Sequence, residues 1–254
     1  MGATSIQLIR NATLKVKYAD KIFLLDPMLS EKHSLRSFLV PDQQLNPTLD
    51  LPLPLSEIIS DIDAVLLTHS HPDHFDNAAI KNLPKDISFF NQPADEKVVA
   101  KAGFQHAITI DSNYNYNGIT IVRTSGKHGP DNLLEMLGEV SGFILQAEDH
   151  PTIYFIGDCI WDQEIEGYID QYRPDIIITN SGGALFRGGN ERILMDVDET
   201  LLVAKKAPNA TIIAVHLQAL DHCTVTRQQL NEAAIHENVT ILTPADGQIL
   251  ELGA

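Results

Sequence analysis

Residues 64–77 read AVLLTHSHPDHFDN, and the reading of the whole chain turns on them. Four apolar residues give way at Thr68 to three histidines and two aspartates within eight positions. The apolar run has the character of a buried strand, so the histidines fall on the turn at its end. His69 and His71 flank a single residue, Pro72 stiffens the turn, and Asp73 and His74 follow at once. Imidazole together with carboxylate suits zinc, iron or manganese, whereas calcium takes oxygen ligands. One cation cannot readily use four groups in so short a loop, but two adjacent cations can. A polar loop with incidental histidines is the plain alternative. For one histidine it would win; for this spacing at a strand end it does not.

Working outward, the chain has 254 residues of which 44% are hydrophobic, enough for a sizeable core. No apolar run reaches the length of a membrane span, and no basic-then-apolar leader opens the chain. The expectation is a cytoplasmic protein with no membrane partner. Cys159 and Cys223 are the only cysteines, so neither a disulfide framework nor a CxxC zinc site is expected. The net charge of −16 repels phosphate backbones and anionic headgroups. No nucleic-acid partner is expected; a small-molecule substrate is.

Short apolar runs alternate with turn signals along most of the sequence. TSIQLI, ATLKVKY and KIFLLD read as strands near the start, and DAVLLT, ISFF, HAITI, ITIVRT, SGFILQA, TIYFIG, DIIIT, TIIAVH and VTILT follow. Several are too apolar throughout to be half-exposed, which implies sheets covered on both faces. Helices are expected at PADEKVVAKAG, at DETLLVAKKAP, and at TRQQLNEAAIHE, where Thr226 and Gln229 have the spacing of a capping box. This order fits a four-layer α/β sandwich. Residues 28–55 carry four prolines and no period, yet also leucine, phenylalanine and valine. They read as a packed lid or a homo-oligomer contact, with an ordinary surface excursion as the alternative.

The pattern His69-x-His71-x-Asp73-His74 resembles the signature of the metallo-β-lactamase-fold hydrolases. Further along, TSGKHG, YFIGDC and IIAVHL place His128, Asp158 and His216 after apolar strands, in the family's order, and FLLDP places Asp26 where the family has an early aspartate. The resemblance spans nearly the whole chain. It implies a single αββα domain over 1–254, with two mixed β-sheets flanked by helices. It assigns His69, His71 and His128 to one divalent metal ion and Asp73, His74 and His216 to a second, bridged by Asp158. Asp73 also counts as a catalytic carboxylate, and Asp26 would orient a ligand imidazole from behind. Zinc heads the metals, with manganese and iron compatible.

Within the family the chain looks most like the branch that includes ascorbate-6-phosphate lactonase, on GDCIWDQEI, DIIITNSGG and VHLQALDHC. His222 is the candidate for protonating a leaving group or steadying an oxyanion, with a surface histidine beside Asp221 as the alternative. Asn180, Ser181 and Arg187 are candidate substrate contacts; Arg187 reads equally as a solvated loop cation. His33 and Arg36 could enter the site only from a lid, Trp161 reads as core or pocket wall, and Cys159 as buried and inert. The resemblance implies a two-metal hydrolase whose bridging hydroxide attacks a small polar, anionic ester, lactone or phosphodiester. Ribonuclease Z-like cleavage, a lipid phosphodiesterase and a metal-binding scaffold without turnover are the alternatives. A flavodiiron oxidoreductase would need a flavin domain for which this chain has no room.

Overall fold

The computed structural model describes residues 4–40 and 42–252. The domain expectation over 1–254 thus extends past the described residues at both ends, and residue 41 of the 28–55 segment also lies outside them. In the first sheet, β1 (Thr4–Arg10), β2 (Thr13–Tyr18) and β3 (Lys21–Leu25) form an antiparallel meander. β4 (Ala64–Leu67), β5 (Ser88–Asn91) and β6 (His106–Thr109) then add in parallel. The second sheet holds β7 (Asn113–Tyr116), β8 (Ile119–Gly126), β9 (Val140–Gln146), β10 (Ile153–Phe155), β11 (Ile176–Asn180), β12 (Thr211–Val215) and β13 (Ile241–Leu242). β14 (Ile249–Leu252) returns to pair antiparallel with β1. Each sheet has seven strands, ordered β14-β1-β2-β3-β4-β5-β6 and β13-β12-β11-β10-β9-β8-β7.

Parallel strands need crossovers, and helices supply them. Gln163–Tyr172, Val197–Lys206 and Arg227–His236 link the strands from β10 to β13, while Asn77–Asn82 and Glu96–Lys101 link those from β4 to β6. One apolar cluster fills the space between the sheets, with Leu8, Phe23, Leu66, Phe143, Phe155 and Ile213 among its members. Two more lie under the helices, one around Ile177, Val203 and Leu230 and one around Val65, Phe89 and Val99. These are the interfaces of an αββα sandwich, as expected. The parallel strands β3, β4, β11 and β12 all end on one edge of it, and their ends carry the polar residues singled out above.

The expected strands and the three expected helices are present, and the capping box of Thr226 and Gln229 forms. β7 was missed because NYNY faces solvent and lacks an apolar alternation. Its signal lay in the next two residues: Asn117 and Gly118 take φ of 52° and 89°, the left-handed pair of a tight hairpin. The acidic stretch after Trp161 starts a helix that the sequence reading did not include, since the Asp162 carboxylate accepts from the amides of Glu164 and Ile165. The described residues of the 28–55 segment have little regular structure but are firmly tied. The fully buried Arg10 guanidinium donates to the carbonyls of Leu49, Met28 and Ser30 at 2.9, 3.1 and 2.7 Å. Burial lowers its pKa to about 10.

Candidate metal centre

β4 stops at Leu67, and the chain turns through the histidine loop. The turn closes with the amides of His74 and Phe75 donating to the His71 carbonyl at 2.9 and 2.8 Å. Neighbouring strand ends converge on it. Asp26 follows β3 at φ 42° and His216 follows β12 at φ 60°, left-handed conformations costly for such residues and common where a site over-determines them. Asp158 follows β10 through Gly157, at φ 78°; a Cβ there would meet the Ser141 carbonyl oxygen at 2.7 Å. His128 comes from the loop after β8.

Seven side chains are thereby gathered into two groups, His69 with His71 and His128, and Asp73 with His74, Asp158 and His216. Within each group the donor atoms all lie within 4.8 Å of one another. All but His71 are buried. The Asp158 Oδ2 atom lies 3.1 Å from His74 Nε2, 3.6 Å from His216 Nε2 and 3.8 Å from His128 Nε2, within reach of both groups.

The hydrogen-bond network assigns the tautomers, and these show what the cluster is made for. The Thr68 hydroxyl donates to Asp26 Oδ2 at 2.7 Å, so it can only accept from His69 Nδ1 at 3.1 Å. His69 Nε2 therefore carries a bare lone pair. His71 donates through Nε2 to the Leu137 carbonyl at 2.8 Å, which leaves its Nδ1 bare. These two lone pairs face each other across 3.0 Å, an arrangement that a cation satisfies and a hydrogen bond does not. His128 Nδ1 donates to the Ile193 carbonyl at 2.7 Å, freeing Nε2. In the second group His74 Nδ1 is held by Asp26 Oδ2 at 2.9 Å and His216 Nδ1 meets the Cys223 sulfur at 3.5 Å. The Nε2 atoms of both rings are buried without a hydrogen-bond partner. These residues fit divalent metal ions.

The electrostatics separate the groups. Burial, reinforced by the neighbouring His74 and His71, drives His69 well below its ordinary pKa, and burial also lowers His128, so both of these rings are neutral imidazole. Burial opposes charge on His74 too, but Asp158, Asp26 and Asp73 overcome it and raise its pKa to about 10. The second group is thus a buried excess of carboxylate that takes up either protons or a cation.

Beside the cluster lies a cavity of about 310 Å³, lined by His71, Asp73, His128 and Asp158 from the cluster and by Phe38, Pro72, Leu137, Ala184, Leu185, Phe186 and Ile193 as apolar wall. Ser37, Arg187 and His222 complete it. His222 is buried, packs on the Phe38 ring at 4.4 Å between centroids, and is lowered to about 4 by burial. Arg187 is exposed at the rim. Two sequence expectations change. Asn180 does not line the cavity; its side-chain amide donates to Asp158 Oδ1 at 2.6 Å and positions that carboxylate. Ser181 is fully buried and bonds to the hydroxyls of Thr179 and Thr200 at 2.9 and 2.8 Å, away from the cavity. His33 and Arg36 are exposed and outside the lining. Trp161 packs against the core under the helices, and Cys159 is fully buried, its thiol pushed well up by burial. Phe38, Leu185 and Phe186 escaped the sequence reading, since isolated apolar residues in irregular segments carry no pattern.

A family model described as a β-lactamase superfamily domain matches residues 22–217. A Bacillus subtilis protein named UPF0173 protein YddR is 38% identical over 250 residues, covering 96% of this chain and 98% of its own. Two solved structures share the fold closely. One, described as a possible metal-dependent hydrolase from Veillonella parvula, has a TM-score of 0.94 at 32% identity, covering 99% of this chain and 100% of its own. The other, isothiocyanate hydrolase from Delia radicum gut bacteria, has a TM-score of 0.92 at 34% identity, covering 98% and 99%.

Proposed function

The chain belongs to the metallo-β-lactamase superfamily, and from that premise we propose that it is a two-metal hydrolase of a small, neutral electrophile bearing an apolar substituent. One observation carries the reading: bare ligand nitrogens and a shared carboxylate converge on the floor of an apolar-walled cavity. His69, His71 and His128 would hold one cation, and Asp73, His74 and His216 the other, with Asp158 reaching both. Bound there, the cations supply a water made nucleophilic near neutral pH and polarise the electrophile.

The chain's own residues do the rest. Asp26 and Thr68 fix the rings of His74 and His69, and Asn180 fixes Asp158. Phe38, Leu137, Phe186 and Ile193 seat the apolar substituent and exclude bulk water. His222, neutral at pH 7, offers the leaving heteroatom a hydrogen bond from the cavity wall. Isothiocyanates head the substrate classes, because the relative of that activity is similar over nearly the whole chain. Water would add across the C=N bond, and collapse of the adduct would release an amine and carbonyl sulfide. Apolar esters and lactones fit the same cavity. Arg187 at the rim favours a second reading, in which an anionic lactone or phosphodiester is taken.

The test is a panel of isothiocyanates, esters, lactones and phosphodiesters, assayed on protein of measured metal content. His71→Ala and Asp158→Ala should lose metal and turnover together. Undiminished hydrolysis by chelator-stripped protein would sink the proposal.

A further inference from the structure

Asp221 immediately precedes His222, yet it does not line the cavity. Its carboxylate instead takes hydrogen bonds from both limbs of the irregular segment. The Ser37 hydroxyl and the Phe38 amide (3.3 Å) donate from one limb, and the Asn46 side-chain amide (2.9 Å) donates from the other. The Asp221 amide returns a bond to Asn46 Oδ1 at 2.9 Å. The limbs are themselves joined by a bridge between Leu35 and Asn46 and by the Ser37 amide on the Gln43 carbonyl at 2.8 Å. Among the described residues here, none lies in a helix or an extended strand. The position of Phe38 therefore depends on these bonds. Burial raises the Asp221 carboxyl, but the bonds from Ser37, Asn46 and Phe38 prevail and hold it below the ordinary range, so an ionised acceptor grips three donors.

We propose that Asp221 is a positioning residue for substrate selection: it latches Ser37 and Phe38 to Asn46 so that Phe38, packed on His222, sets the bulk of the apolar substituent the cavity admits. The segment also reaches the opposite rim, where a Cβ added at Gly188 would meet Leu39 at 3.3 Å. Phe38 and Phe186 then wall one cavity from two loops, and the latch fixes how far apart they stand. This selection rests on the hydrolase reading; the latch itself does not.

The test compares Phe38→Ala, Asp221→Ala and Asp221→Asn with the wild type on isothiocyanates of increasing chain length, together with the rate of trypsin cleavage after Arg36. Phe38→Ala should raise the ratio of long-chain to short-chain kcat/KM by about 10-fold. Asp221→Ala should raise it in the same direction although it touches no substrate, acting through KM for the short compounds, and should speed cleavage at Arg36. Asp221→Asn keeps one acceptor oxygen and should fall between. Metal content should be unchanged in all three. A wild-type chain-length ratio and a wild-type cleavage rate in Asp221→Ala would overturn the latch. Lack of turnover by the metal-loaded wild type across the panel would overturn the hydrolase reading and with it the selection, while cleavage at Arg36 still decides whether Asp221 holds the segment.

Discussion

Asp26 shows how much one side chain sets at the residue scale. Its carboxylate receives the Thr68 amide at 2.8 Å, the Thr68 hydroxyl at 2.7 Å and His74 Nδ1 at 2.9 Å, so it orients rings in both groups while touching the cavity with neither oxygen. Asp26→Asn presents an amide hydrogen to a site that already supplies only donors. Metal affinity should fall about 10–100-fold, read by competition with a chromogenic chelator. A second prediction follows from His74. Its proton must leave before Nε2 can bind a cation, and the surrounding carboxylates favour that proton. Metal retention should therefore weaken as pH falls and recover as it rises, measured as bound metal after equilibrium dialysis at each pH. The seven proposed ligand positions were legible in the sequence because the family pattern they resemble places each after an apolar run. The partners that fix them were less so: the Leu137 and Ile193 carbonyls are main-chain groups with no residue signature, and Asn180 was noticed but given to the substrate instead of Asp158.

At the scale of elements, the strand ends do the positioning. Gly157 is where β10 turns toward the site, and both its φ of 78° and the nearby Ser141 carbonyl exclude a side chain. Gly157→Ala should lower the melting temperature and displace Asp158, so metal content falls with stability. Thr226→Ala, by contrast, removes a capping box at the start of Arg227–His236, an element that carries no proposed ligand. It should cost about 1 kcal/mol of stability by denaturant titration with metal content intact. The apolar strands and the capped start of Arg227–His236 could be read from sequence because caps and periodicity are local. The cavity wall could not: Phe38, Leu185 and Phe186 meet only because two irregular loops fold over the same edge.

For the whole molecule, the net charge of −16 surrounds an apolar cavity. An anionic substrate must approach through that field, and a neutral one does not feel it. Raising ionic strength from about 0.01 to about 0.15 M shortens the Debye length from about 30 to about 8 Å. The kcat/KM for an anionic ester should rise over this range and that for a neutral isothiocyanate should stay level, which separates the two substrate readings kinetically. Among the described residues no helix is long and apolar enough to cross a membrane.

The pairing of β14 with β1, Thr4 opposite Leu252, has a consequence in time. During synthesis β1 is made before the rest of its sheet, yet its outer neighbour is made more than two hundred residues later. Until then the first sheet has an open flank of unpaired amides and carbonyls, the kind of surface on which nascent chains stick to one another. A ribosome stalled before residue 249 would leave β2 to β6 able to assemble and that flank unsealed. Chaperone dependence of this protein should accordingly be greatest in the interval just before β14 is made, after every proposed metal ligand has already been made.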